Sequence, residues 1–286
     1  MNKTLIFADA HFARNYDYEL LVDVAEREGT DRIVYLGDTD GVDSYRRLID
    51  FRNRITDLGL GLDLIRGNHD QAWLDYIEGD DELFSLLPDY SDVSIKDAAD
   101  IRGLIQEMAL DTIHEDVIYR HTLLAGKPAS GACGPLIEGN DPRLKYPDLW
   151  YYTFGTNQTE PHPSAPKKLH LTYDPTVVLA TFGALKNRNA RYLVKGHEHI
   201  NKVWQLTDEG TLSGGEFVGI NDSVEVPNMG IIQLGAYKNG NYAVLEKIND
   251  ALRIRFQKIP RRRGYSRAHA DNPLEHHLVE PHQSAE

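Results

Sequence analysis

Four short groups of potential metal ligands each follow a run of apolar residues in this sequence. Carboxylate oxygen, amide oxygen and imidazole nitrogen together suit Zn, Mn or Fe better than Ca or a closed thiolate site. In the last group two histidines stand two residues apart, so in an extended chain both point the same way and can reach two neighbouring ions. Because all four groups follow apolar runs, they describe one site. The groups are Asp9 with His11, Asp38, Asn68 with His69 and Asp70, and His197 with His199.

Such a ligand set predicts hydrolysis at phosphorus. Two ions about 3.5–4 Å apart need a bridging carboxylate, and they lower the pKa of a shared water from about 15.7 towards about 7. The water then becomes a hydroxide nucleophile at neutral pH. Both ions can also hold the oxygens of a phosphate ester during in-line attack, so a phosphate ester or anhydride is the expected substrate.

The elements that must position these residues begin with a β-α-β-α-β pattern. Residues 4–8, 33–36 and 62–65 are predicted strands, and residues 17–28 and 44–58 are predicted amphipathic helices. This order implies a parallel sheet with right-handed crossovers. Ligands of such sheets bind beyond the carboxyl ends of the strands, where the first three groups fall.

The rest of the chain is less regular. Residues 71–112 are predicted to be mainly helical, 117–124 to be a strand, and 126–166 to be a loop insertion. The second half is expected to add a mostly antiparallel sheet, and the polar residues 261–286 a disordered tail after a single domain of residues 1–260. Further predicted strands are 168–172, 192–194, 203–206, 229–234, 242–245 and 252–256, and the further predicted helix is 176–186.

Composition narrows the function. The formal net charge of −13 argues against broad binding to nucleic-acid backbones, so long nucleic acid is a less favoured partner than a small nucleotide-like substrate. No apolar run is long enough for a membrane span. The N-terminus leaves no room for a signal peptide, and the single Cys133 cannot form an internal disulfide. We therefore expect a cytoplasmic protein.

The order of the motifs resembles that of the calcineurin-like metallophosphoesterases, and in particular their smaller bacterial and archaeal phosphodiesterases. The family pattern is Asp-X-His, Gly-Asp, Gly-Asn-His and Gly-His-X-His, and this chain matches it between about residues 4 and 247. The resemblance implies an α/β protein, a four-layer α/β/β/α sandwich with mixed sheets. It also implies two divalent transition metal ions, Mn, Fe or Zn.

The resemblance further implies a role for each motif residue. His69 would face the substrate as general acid or phosphate contact, oriented by Asp70. A carboxylate partner holds an imidazole in one tautomer and raises its pKa, which suits this role. The implied metal ligands are Asp9, His11 and His199 for the first ion, Asp38 as the bridge, and Asn68 and His197 for the second ion.

One ligand of the family pattern is missing. A further histidine for the second ion normally ends a strand between Gly-Asn-His and Gly-His-X-His, and here the two matching positions hold Ala125 and Tyr173. His121 and His170 are the possible substitutes, although neither has the expected strand register unless a bulge intervenes. The residue that replaces the missing histidine therefore stays open between His121, His170 and none.

These observations favour a dinuclear-metal-dependent phosphohydrolase that uses a metal-bridging hydroxide. An alternative is a binding or scaffold module of the same fold with an impaired second metal site, which the missing histidine favours. A nuclease is a further alternative, and it would need a basic channel. The sequence determines neither the substrate nor the oligomeric state.

Overall fold

A computed structural model describes residues 3–11, 18–86, 94–128, 137, 139–152, 159–162, 165–171 and 175–259. The predicted disordered tail of residues 261–286 lies outside the described residues, as do Tyr173 and part of the predicted loop insertion.

Five α-helices and sixteen strands occur in the described residues. The helices are α1 (Glu19–Glu28), α2 (Val42–Asp57), α3 (Asn68–Ile77), α4 (Ile95–Glu107) and α5 (Pro175–Asn187). The strands up to α5 are β1 (Lys3–Phe7), β2 (Thr30–Tyr35), β3 (Gly61–Leu64), β4 (Asp111–His114), β5 (Val117–Arg120), β6 (Lys127–Pro128), β7 (Tyr151–Tyr152), β8 (Thr159–His162) and β9 (Ala165–Leu171). The strands after α5 are β10 (Tyr192–Lys195), β11 (Lys202–Leu206), β12 (Leu212–Phe217), β13 (Ser223–Val226), β14 (Met229–Gln233), β15 (Asn241–Ile248) and β16 (Ala251–Lys258).

The first six-stranded sheet has the order β13-β16-β15-β1-β2-β3. Strands β1, β2 and β3 are parallel, as the β-α-β-α-β pattern predicts. The helix between β1 and β2 ends where the chain turns at Gly29, whose φ of 64° lies in the left-handed region that glycine adopts without strain. The three remaining strands of the sheet run antiparallel to their neighbours.

The second six-stranded sheet has the order β12-β11-β14-β10-β5-β4. Its central strand β10 is parallel to both β14 and β5, whereas the outer pairs are antiparallel. The second half adds mostly antiparallel strand pairs, as expected, but these pairs do not form a single sheet of their own. Strands after β10 are divided between the two sheets, because β13, β15 and β16 complete the first sheet.

The sheets stack face to face with helices on both outer faces, which confirms the predicted four-layer α/β/β/α sandwich. Alternation along the strands divides their side chains between the layers. In β1, Leu5 and Phe7 pack in the cluster that also holds residues of α1 to α4, whereas Ile6 packs in the cluster between the sheets. In β10, Val194 faces the layer between the sheets and Leu193 packs with residues of α5.

Strand β5 ends four residues earlier than the sequence pattern predicts. The predicted strand extends to residue 124, but residues 121–125 form bends and irregular backbone, and the strand itself stops at Arg120. Leu123 is buried in the core although it lies beyond the end of the strand. This boundary decides which histidine reaches the site.

In the described part of the chain, no helix has both the length and the apolar character needed to cross a bilayer.

Candidate metal centre

The candidate site lies where the carboxyl ends of five strands from the two sheets meet. Strands β1, β2 and β3 lead to Asp9, Asp38 and Asn68, and strands β5 and β10 of the second sheet lead to His121 and His197. The backbone ties the first two loops together, since the amide of Asp9 donates to the carbonyl of Gly37 over 2.9 Å. The site is therefore built across both sheets.

The first cluster contains Asp9, His11 and His199, whose donor atoms all lie within 4.8 Å of one another. The Nε2 atoms of His11 and His199 are 3.0 Å apart, and Nε2 of His199 is 3.5 Å from Oδ1 of Asp9. Donor atoms that share one ion at bond lengths of about 2.1 Å are separated by roughly 3.0–3.4 Å. The spacing of this cluster fits one ion.

The second cluster contains Asp38, His121 and His197, again within 4.8 Å of one another. Nε2 of His121 lies 2.9 Å from Nδ1 of His197, 2.9 Å from Oδ1 of Asn68 and 3.3 Å from Oδ2 of Asp38. Four side chains thus converge on one point, with spacings that also fit a single ion.

The structure brings His121 to the place that the sequence left open. His121 follows Arg120, the last residue of β5, and β5 runs parallel to and directly beside β10. The strand that was expected to carry the ligand at Ala125 has already ended, so the histidine stands at its carboxyl end without a bulge. His170 lies in β9, which pairs with β8 in a separate two-stranded sheet.

Asp38 lies between the two clusters. It belongs to the second cluster and also to a group with His11 and His69 whose donor atoms lie within 4.8 Å of one another. Its Oδ1 accepts a hydrogen bond of 3.0 Å from the backbone amide of His69, and its Oδ2 faces His121. This is the position that a bridging carboxylate needs.

The rings of two histidines are oriented by acceptors on their far sides. Nδ1 of His11 is 2.7 Å from Oδ2 of Asp40, and Nδ1 of His121 is 2.7 Å from the carbonyl oxygen of Leu36. Each acceptor binds Nδ1 and thereby turns Nε2 towards its cluster. This arrangement is typical of metal-binding histidines.

The predicted partner of His69 is wrong. Nδ1 of His69 bonds to Oδ1 of Asp40 over 2.8 Å, and the Asp70 carboxylate bonds elsewhere. Asp40 is not among the residues that the four motifs select. The signal that could have found it is its spacing of two residues from Asp38.

The Asp70 carboxylate connects two loops of the site through hydrogen bonds. Its fully buried carboxylate accepts hydrogen bonds from the amides of Asp38 at 2.9 Å, Thr39 at 3.1 Å and Gly67 at 2.8 Å, and from the hydroxyl of Tyr45 at 2.9 Å. The loop after β2 is thereby tied to the start of α3, which carries Asn68. Asp70 positions ligands and makes no hydrogen bond to the ring of His69.

Backbone strain is concentrated at the candidate ligands. Nine described residues other than glycine have positive φ, and five of them belong to this site. Such conformations cost about 1–3 kcal/mol each and persist only where surrounding contacts enforce them, commonly at functional sites. The five are Asp9, His11, Asp38, His197 and His199.

The glycine of the last motif is required by a close approach. A Cβ atom at Gly196 would stand 2.6 Å from Oδ2 of Asp9 and 2.8 Å from Cβ of Ala8. The absence of a side chain lets the turn after β10 rest directly on the loop after β1. The two motifs meet because of this contact.

The two histidines that bond to Asp40 have pKa values shifted in opposite directions. Burial lowers the pKa of His11 to about 4, although its hydrogen bond with Asp40 acts in the opposite direction. Burial also lowers the pKa of His69, but the charges of Asp40 and Asp38 outweigh it and raise that pKa to about 9. Without bound ions, His11 is therefore a neutral donor and His69 carries a proton.

The protonated His69 should make the stability of the metal-free protein depend on pH. Its folded pKa of about 9 exceeds the ordinary 6.5, so the contribution is complete below pH 6.5 and disappears as the pH rises through about 9. We expect the difference in free energy of unfolding between the wild type and His69→Ala to shrink by about 3 kcal/mol over this range. Urea unfolding of both proteins with chelator, at several pH values, measures it. A difference that is constant with pH would contradict the assignment.

Several solved structures align with nearly the whole chain. The metallophosphoesterase from Sphaerobacter thermophilus aligns with a TM-score of 0.51 and 15% identity over 91% of this chain and 89% of that chain. A hypothetical protein from Pyrococcus horikoshii aligns with a TM-score of 0.49 and 11% identity over 92% of this chain and 90% of that chain. A cold-active protein-tyrosine phosphatase from a psychrophilic Shewanella aligns with a TM-score of 0.48 and 14% identity over 88% of this chain and 77% of that chain.

No protein-family model and no curated protein matches the sequence. The likeness to the Sphaerobacter protein at 15% identity is a likeness of fold. In this chain the fold is a sandwich of two mixed six-stranded sheets with helices on both outer faces. This chain has the calcineurin-like metallophosphoesterase fold.

Proposed function

We propose that this protein is a dinuclear-metal-dependent phosphohydrolase that cleaves a phosphate ester or anhydride. The observation that carries the proposal is the pair of adjoining donor clusters with Asp38 between them. Hard oxygen donors and imidazoles, without a thiolate, suit Mn, Fe or Zn. The oriented histidine rings support the same conclusion, because their Nε2 atoms are directed at the two clusters.

The described residues fit two ions. The first ion would be held by Asp9, His11 and His199, the second by Asn68, His121 and His197, and Asp38 would bridge them. When bound, the two ions supply an activated water as nucleophile and neutralise charge on the phosphate oxygens.

Exposure indicates the side from which a substrate reaches the site. The side chain of His199 is 32% exposed and that of His69 is 16% exposed, whereas those of Asp9 and His121 are fully buried. A phosphate group would therefore approach between His199 and His69, with the buried ligands beneath it.

His69 would supply the proton for the leaving group or a hydrogen bond to phosphate. Asp40 holds its Nδ1, so the reactive position is Nε2. This nitrogen lies 3.9 Å from Oδ2 of Asp38 and so faces the space beside the bridging carboxylate. A general acid placed there can protonate the departing oxygen while Asp40 stabilises the charged ring.

A small phosphorylated molecule, nucleotide-like in kind, is the substrate class that the charge of the chain favours. The net charge of −13 disfavours sequence-independent binding along a polyanionic backbone. The nuclease alternative would require a basic channel that overcomes this charge.

The scaffold alternative rested on the missing histidine. With Nε2 of His121 beside Asn68, Asp38 and His197, the donor set of the second cluster has four members. We therefore propose an enzyme and not a scaffold module.

Turnover of chromogenic esters tests the proposal. Metal-stripped protein is assayed with bis(p-nitrophenyl) phosphate and p-nitrophenyl phosphate, with and without Mn²⁺, beside Asp38→Asn and the exposed control Asp208→Asn. We expect turnover that requires Mn²⁺, is retained in the control and falls by at least about 100-fold in Asp38→Asn, since Asp38 joins both clusters. Turnover that ignores both Mn²⁺ and the Asp38 substitution would overturn the proposal.

A further inference from the structure

The turn of residues 196–200 carries one candidate ligand for each ion. His197 belongs to the second cluster and His199 to the first. Both have left-handed backbone conformations, with φ of 78° and 60°. Neither conformation is favourable for a histidine, so neighbouring groups must hold the turn in place.

A buried ion pair lies at the start of this turn. Lys195 is fully buried, and its ammonium forms an ion pair with the carboxylate of Glu198, whose side chain is 8% exposed. The ammonium also donates to the carbonyl oxygen of Gly196 over 2.8 Å. The ion pair thus links the residues on either side of His197.

A glutamine extends this network to the far end of the turn. The side chain of Gln233, in the neighbouring strand β14, accepts from the Lys195 ammonium at 3.5 Å. Its amide nitrogen donates to the carbonyl oxygen of Ile200 over 3.1 Å. Hydrogen bonds from one buried network therefore reach the backbone both before His197 and after His199.

The network is separate from the donor clusters. Strand alternation places Lys195 on the same face of β10 as Leu193, which packs with residues of α5, whereas Val194 faces the layer between the sheets. Neither Lys195 nor Glu198 belongs to a group of potential metal ligands in the described residues. The pair can therefore act on ion binding through the turn, beside the charge interaction that both of its residues have with Asp9.

We infer that Lys195 and Glu198 are positioning residues for both metal sites, a role that rests on the proposed function. A buried ion pair is weak as a source of stability, because removing two charges from water offsets their attraction. Its use here is geometric. Ligands need to stand within about 0.5 Å of their productive positions, and groups behind the ligands commonly change metal affinity by about 10–100-fold.

The test separates metal affinity from fold stability. Lys195→Met/Glu198→Leu replaces the pair by apolar side chains of similar size, so that neither charge of the pair is left buried without the other. The matched control is Lys247→Met/Asp116→Leu, which removes a partly buried pair joined over 2.9 Å at the opposite ends of the strands. Mn²⁺ binding is measured by titration calorimetry, and thermal unfolding is measured on the metal-free proteins.

We expect the double variant to bind both ions at least about tenfold more weakly than the wild type while unfolding at a similar temperature, and the control to bind them as the wild type does. Unchanged affinity for both ions in the double variant would overturn the inference. If the double variant does not fold, Glu198→Ala decides in its place, since it removes the side chain that holds the Lys195 ammonium at the turn. Unchanged affinity in that variant overturns the inference equally.

The wild-type titration distinguishes this inference from the proposed function. Fewer than two Mn²⁺ ions bound by the wild type would count against the dinuclear site itself. Two ions bound by the wild type, and equally well by the variants, would leave that site intact and remove only the role of the pair.

Discussion

His121→Ala should lose the second metal ion and keep the first. The Nε2 atom of His121 contacts all three other members of the second cluster, and the first cluster does not include His121. Removing a direct ligand should cost more than removing a group behind one, so we expect affinity for the second Mn²⁺ to fall by more than about 100-fold. Phosphoesterase turnover should fall with the lost ion, because both ions hold the phosphate.

His170→Ala is the matched control for this prediction. Both histidines were candidates from the sequence, but His170 belongs to β9, outside the two large sheets. We expect it to bind two ions and to retain turnover. The opposite pattern, with two ions in His121→Ala and one in His170→Ala, would contradict the assignment of the second site.

His69→Ala should abolish most turnover without releasing the ions. A positioned general acid contributes about 10²–10⁴-fold to the rate, so kcat is expected to fall by about that factor. The two clusters keep all their direct ligands, hence the number of bound Mn²⁺ ions should not change. Measuring kcat and metal content on the same preparations checks both statements.

Asp40→Asn should reproduce part of this loss. The amide can still face both rings, but it no longer accepts as a charged group from Nδ1 of His11 and Nδ1 of His69. Asp43→Asn is the control, because Asp43 is 83% exposed and pairs with Arg46 at the surface. A drop in kcat for Asp43→Asn as large as that for Asp40→Asn, or a loss of metal in His69→Ala, would count against these roles.

Most of the candidate site could be predicted from the motifs, because each motif lies close in sequence to the strand that positions it. Asp9, Asp38, Asn68 and His197 each directly follow a strand that the apolar pattern locates, and the carboxyl ends of parallel strands gather at one edge. The structure accordingly brings these side chains together.

His121 could not be selected from the sequence because its placement depends on where β5 ends. Apolar residues recur at Leu123 and Leu124 after the strand has ended, and the hydrophobic pattern alone does not distinguish burial in a strand from burial beyond one. The predicted strand of residues 117–124 placed Ala125 at its carboxyl end, and this is why the sequence pattern pointed to that position.

The partner of His69 was missed for a similar reason. Asp70 is the nearest carboxylate in sequence, but it lies in the first turn of α3 and accepts backbone amides of two loops. Asp40 reaches the ring from a loop that is 29 residues away in sequence. Contacts of this kind depend on how loops of different strands pack, which sequence spacing does not encode.

Anomalous diffraction from crystals grown with Mn²⁺ would locate the bound ions and test the dinuclear site. We expect two peaks about 3.5–4 Å apart, one among Asp9, His11 and His199 and the other among Asn68, His121 and His197, with Asp38 between them. A single peak, or peaks away from these residues, would contradict this expectation.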